Sequence, residues 1–207
     1  MKKLLTILLI SLVLIGCSSK PKVDTPSTAA SPESVAKEFL TAYRKMDTKK
    51  VNAFIVPEDQ LTEEQIKEVE DERAQQVIAG VKPEEMMDFF FKSDFDVSQP
   101  TITDDKATVV VKWEGIDFGK TYQLVMTKIV ELAMDPGFSN LSEEEQDKKI
   151  DELVVNMFKD GEAKPYESEL HLRKVDNTWY VESSEKANKS FFNFLEFDFE
   201  PETDFAE

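Results

Sequence analysis

One cysteine, one histidine and six glycines in 207 residues leave this chain short of the usual catalytic and stapling chemistry. A lone Cys17 cannot close a disulfide within the chain or build a thiolate metal cluster. Any Ser–His–acid arrangement would have to use His171, and no glycine-rich loop of the phosphate-cradling kind is present. Basic residues are also scarce: 25 Lys and Arg stand against 42 Asp and Glu, a net charge of −17. That balance disfavours nucleic acid, and within a Debye length it repels an anionic membrane surface. Long hydrophobic runs are missing too. The apolar stretch Leu4–Ile15, interrupted by Thr6 and Ser11, falls short of the roughly 20 residues that a permanent membrane-spanning helix needs.

What that stretch does resemble is a secretory signal, because Met1-Lys2-Lys3 supplies the basic start and the apolar core follows at once. Leu14-Ile15-Gly16-Cys17 resembles the lipobox of bacterial lipoproteins. The resemblance implies diacylglyceryl transfer to the Cys17 thiol, cleavage before it and acylation of the new amine. The competing readings are an inert thiol in a simply secreted protein and an uncleaved anchor; the order of charge, apolar core, small Gly16 and cysteine favours lipidation. Two or three acyl chains anchor stably where one does so marginally. Removing residues 1–16 takes two of the 25 basic residues and no acid, moving the net charge to −19. The expected location is the extracytoplasmic side of the cell membrane, with the covalent lipid as the membrane contact.

Residues 17–31 then read as the lipidated cysteine and a tether, rich in Ser, Thr, Pro and Ala with Val23 as its one large apolar residue. A single folded domain is expected over 32–190, long enough to bury a core without staples. Ser31-Pro32 suits a helix start, and Val35, Phe39, Leu40, Tyr43 and Met46 follow at helical spacing. A short helix is expected after Asp47, with Val51, Phe54 and Ile55 inward. Thr62-Glu63-Glu64-Gln65 is a capping-box pattern, predicting a helix that carries Ile66, Val69, Val77 and Ile78 up to Gly80. Pro83 opens a further helix bearing Met86, Met87, Phe89, Phe90 and Phe91.

Strand signals come next. Thr101–Thr103, a turn at Asp104-Asp105 and Ala107–Trp113 predict a hairpin centred on Thr108-Val109-Val110-Val111. Helical periodicity returns at Tyr122–Ala133, stops at Pro136-Gly137, and resumes after the Ser142–Glu145 capping box through Phe158, predicting a helical hairpin inserted between strands. After Gly161, Tyr166, Ser168, Leu170 and Leu172 share one strand face and Glu167, Glu169, His171 and Arg173 the other. Asp176-Asn177 is the expected turn into Trp179-Tyr180-Val181. The layout predicts an α+β domain with N-terminal helices packed on an antiparallel sheet.

Residues Ser31–Tyr43 with Met46-Asp47, and the strand patterns Ala107–Val111 and Lys174–Val181, resemble small NTF2-like lipoproteins of Gram-positive bacteria. The resemblance implies a curved antiparallel sheet wrapped around a helix as a cone, and no assigned activity. The segments Leu61–Gly80 and Tyr122–Phe158 depart from the minimal cone.

Candidate functional residues follow from these patterns. Phe39, Tyr43, Trp113 and Trp179 either line a cavity for a small apolar ligand or fill the core. Phe191, Phe192, Phe194, Phe197, Phe199 and Phe205 alternate with acids in the last segment, 191–207, which either packs as a final helix on the sheet or folds onto a partner, such as an envelope protein. Asp94 with Asp96, Asp104 with Asp105, and Asp198 with Glu200 offer oxygen ligands without the loop spacing of a calcium site, so no metal and no cofactor is expected. His171 falls on a charged strand face, which argues for a solvated rather than a catalytic group. The favoured function is a non-enzymatic, surface-anchored module that binds a ligand or protein. The alternative is an isomerase- or hydrolase-like enzyme with a buried acid in the cone cavity.

Overall fold

The structure is a computed structural model that describes residues 26–75, 79–182 and Asn188. The expected signal, Cys17, most of the tether, Val77, Ile78 and the Phe-rich segment 191–207, with Asp198 and Glu200, lie outside the described residues. Among the described residues no helix is long and apolar enough to cross a membrane.

The first helix, α1 (Pro32–Arg44), starts where Ser31 caps it, its hydroxyl accepting from the Ser34 N–H at 3.2 Å, with Pro32 in the first turn. Helix α2 (Thr48–Phe54) is capped by Asp47, and α3 (Glu63–Ala74) by a complete Thr62–Gln65 capping box. Helix α4 (Pro83–Phe90) begins at its proline. Strands β1 (Asp96–Val97), β2 (Thr101–Thr103) and β3 (Lys106–Ile116) follow. After them come α5 (Phe118–Ala133), the single turn α6 (Pro136–Ser139), α7 (Glu143–Asp160), β4 (Ala163–Val175) and β5 (Thr178–Val181).

The strands form one antiparallel sheet in the order β1-β3-β4-β5, with β2 also paired to β3. Strand β3 pairs with β4 along its full length, from Lys106 opposite Arg173 to Ile116 opposite Ala163. Asp104 at the β2–β3 turn, and Asp176 with Asn177 at the β4–β5 turn, take positive φ, which short polar side chains tolerate best. The expected α+β architecture is therefore present: α1 packs on β1, β3 and β5, and the α5–α7 hairpin is inserted between β3 and β4.

The core lies between α1 and the sheet. Val35, Phe39 and Leu40 from α1 meet Val109, Val111, Trp113, Leu170, Leu172 and Val181, all buried. Burial of each such apolar side chain is worth about 1.5–3 kcal/mol. Gly161, between α7 and β4, has an ordinary backbone conformation; packing demands it. A Cβ there would stand 2.5 Å from Ile116 Cδ1 and 2.8 Å from Thr121 Oγ1.

Three details differ from the sequence reading. Helix α3 ends at Ala74 rather than running to Gly80. Its apolar face is thin, with Ile66 buried but Val69 exposed, so little tertiary packing extends it. Phe91 leaves α4 and bridges Gly115 of β3, burying its ring completely. The short β1, unforeseen in the sequence, pairs Asp96 with Lys112 and Val97 with Val111.

Candidate functional site

An open groove of about 680 Å³ lies between α1 and the α4–β1 segment. One wall is the outer face of α1 with its C-cap, where Lys37, Thr41, Arg44 and Lys45 follow one another; the other carries Glu84, Asp88 and Asp94, and Phe95 supplies an aromatic surface. Helical spacing sets this arrangement. The turns that point Val35, Phe39 and Leu40 into the core leave Lys37, Thr41 and Arg44 on the outside.

Arg44 holds the two walls together. Its guanidinium donates to the Phe91 and Ser93 carbonyls at 3.1 and 2.8 Å, and contacts Asp88 and Asp94 carboxylate oxygens at 3.3 Å each. The planar fork serves both carbonyls at once, which an ammonium could not do. The carboxylate contacts are long and their acids exposed, so they contribute little stability, and the groove keeps a cationic and an anionic wall. At the far end Lys37 pairs with Glu33 at 2.5 Å, a hydrogen bond that lowers the Glu33 pKa. Opposite walls of opposite sign with an aromatic patch suit a zwitterionic or peptide-like ligand better than an apolar one.

Phe39 is fully buried and Trp113 and Trp179 nearly so, all three in the main core cluster, against which half-buried Tyr43 packs. Phe39 stacks on Tyr43 with centroids 6.1 Å apart, and Trp113 on Tyr166 at 5.4 Å. Burial pushes the Tyr43 phenol up to about 12. Of the four, Trp113 borders a described depression, a shallow one of about 610 Å³ across the ends of β3 and β4.

His171 lies on the outer sheet face, its Nδ1 3.1 Å from Thr108 Oγ1 and its Nε2 3.6 Å from the Glu169 carboxylate. Among the described residues the buried polar side chains are Thr121, Thr178 and Asn188, and no carboxylate is buried. Those residues also hold no cluster of three His, Cys, Asp or Glu able to bind a metal; Asp94 with Asp96 and Asp104 with Asp105 remain pairs.

A further depression, of about 310 Å³, lies between α5 and α7, with Leu124, Leu153 and Met157 in its lining. Exposed Met126 and Val130 continue along α5, and exposed Met134 follows at its C-cap. The groove residues were missed in the sequence because no motif marks them. The available signal was compositional: three cations, Lys37, Arg44 and Lys45, along and just after one amphipathic helix in a strongly acidic chain.

No family model matches the chain, and no curated protein does. A solved structure from Campylobacter jejuni, described as an NTF2-like transpeptidase, is similar at 18% identity and a TM-score of 0.36, covering 74% of this chain and 99% of that one. A likeness that distant transfers no activity, and the architecture above rests on the chain's own elements.

Proposed function

We propose that the protein is a lipid-anchored extracytoplasmic module, akin to small NTF2-like lipoproteins, that binds a peptide-like or zwitterionic partner through the α1–α4 groove without catalysing a reaction on it. The observation that carries this reading is the contrast between a packed interior and an open, two-signed groove. Phe39, Leu40 and Phe91 fill the space between helix and sheet, while Lys45 on one side and Glu84 and Asp88 on the other remain accessible. A general base would need a carboxylate or imidazole held away from water. Among the described residues no carboxylate is buried.

The Cys17 anchor and the tether complement the groove. By composition, residues 18–25 would tether the described domain to Cys17, and a Ser/Thr/Pro-rich chain of that length would reach about 15 Å. The partner is thus expected in the envelope space near the membrane.

A photo-crosslinking residue placed at Thr41 in the full-length protein in intact cells tests the groove. One discrete adduct, lost when Lys45→Glu or Glu84→Lys reverses a wall, is the expected result. Adducts no different from those formed by the same crosslinker at Glu144 on α7 would overturn the proposal.

A further inference from the structure

The helical hairpin inserted between β3 and β4 carries a pocket of its own. The first turns of α5 lie beside the last turns of α7, and the depression of about 310 Å³ opens between them. Helical spacing selects the side chains that face it: Leu153, Met157 and Asp160 share one face of α7, and Thr121 and Leu124 share one of α5.

The chain leaving α7 closes one end. Gly161 has no room for a Cβ, which would stand 2.8 Å from Thr121 Oγ1. The next residue, Glu162, is tied twice to the start of α5. Its carbonyl accepts from the Asp117 N–H at 2.8 Å, and its carboxylate accepts from Lys120 Nζ at 2.6 Å. The pocket is therefore bounded by pinned backbone.

Thr121 is the residue that packing leaves unexplained. It is 3% exposed and lines the depression, yet its hydroxyl makes no hydrogen bond to a described residue. Thr41 and Thr127, on exposed faces of their helices, each return the hydroxyl to the carbonyl one turn back. A hydroxyl left unused at the depth of Thr121 carries a desolvation cost that a bound partner recovers. The surface around it is apolar, formed by Leu124, 46% exposed, and half-buried Leu153 and Met157. At the rim the Lys120 ammonium is already paired with Glu162, and the Asp160 carboxylate has no cation among the described residues.

We propose that this pocket binds a small uncharged molecule with an apolar body and one hydroxyl group, the body lying against Leu124, Leu153 and Met157 and the hydroxyl bonded to Thr121 Oγ1. Sites for small molecules begin at about 300 Å³, so this one takes a single ring or a short chain. The Met157 thioether favours an aromatic ring. An anionic ligand finds no spare cation at the rim and meets Asp160. This goes beyond the groove reading and does not depend on it, since the two sites share no lining residue.

p-Cresol is the probe, with toluene as the analogue lacking the hydroxyl and p-toluate as the charged one. Methyl-resolved NMR of the full-length protein in lipid nanodiscs, at free ligand concentrations corrected for partition into the lipid, reads binding at Leu124, Leu153 and Met157. Leu170, in the main core, reports that the fold is intact. Cresol should shift the three pocket residues saturably and bind roughly 2- to 10-fold more tightly than toluene, the worth of one neutral hydrogen bond. Thr121→Val should erase that preference while toluene binds as before. Leu124→Lys, at a position exposed enough to leave the fold unchanged, should abolish binding of both. Shifts that grow without saturating, or that appear equally at Leu170, would overturn the proposal, as would p-toluate binding as tightly as cresol. Equal affinity for cresol and toluene, or a preference that survives Thr121→Val, would also overturn it by leaving the hydroxyl to water.

Discussion

Truncating Phe39 to alanine separates a packed interior from a ligand cavity by stability alone. Phe39 is wholly buried, stacks on Tyr43 and sits in the cluster with Leu40, Val109 and Leu170. Removing the ring forfeits its transfer free energy, about 1.5–3 kcal/mol, and leaves a void that a tightly packed core closes only in part. The expected total is about 3–5 kcal/mol, a large share of the roughly 5–15 kcal/mol that holds a domain of this size together. The melting temperature should fall by about 10 °C or more. Urea unfolding followed by the fluorescence of Trp113 and Trp179, both buried, gives the difference directly, with the slope against denaturant unchanged. A loss under about 1 kcal/mol would mean that the ring faces open space, and would refute the packed-core account on which the groove proposal stands.

Two further outcomes follow from single contacts. Gly161→Ala should destabilise by about 1–3 kcal/mol because its methyl group meets Ile116 and Thr121. Ile116→Val removes the nearest of these atoms, so urea unfolding should find the double variant less destabilised than the two single effects predict together; strict additivity would contradict the clash. The Glu145 carboxylate is held below its ordinary value by the backbone and hydroxyl hydrogen bonds of Ser142 at the start of α7. A lowered folded pKa gives stability that is present above the unfolded value of 4.5 and lost as pH falls through the folded one. Acid titration from pH 5 downward should therefore destabilise the protein less in Glu145→Gln than in the unaltered chain, as read from melting temperature; equal slopes would contradict the capping role.

The elements most legible in the sequence were those with local causes. Ser31-Pro32, Thr62–Gln65 and Ser142–Glu145 begin helices because their side chains satisfy backbone N–H groups a few residues away, and Asp176-Asn177 turns because both tolerate positive φ. What was hidden depends on contacts distant in the chain. Arg44 reaches Phe91 and Ser93 across nearly fifty residues, and Phe91 leaves its helix because Gly115 offers a backbone partner. Aromatic spacing alone left Phe39 and Trp113 open to two readings, since the same periodicity serves a lined cavity and a filled one. The groove escaped notice because its residues are ordinary surface charges until α4 is folded against α1.

The anchor is the claim on which location, tether and partner all rest, and radioactive palmitate tests it most directly. Cells making the full chain should incorporate label into the protein and keep it in the membrane fraction, whereas Cys17→Ala should carry no label and remain unprocessed. Equal labelling of both forms, or an unlabelled chain with Cys17 intact, would contradict the account.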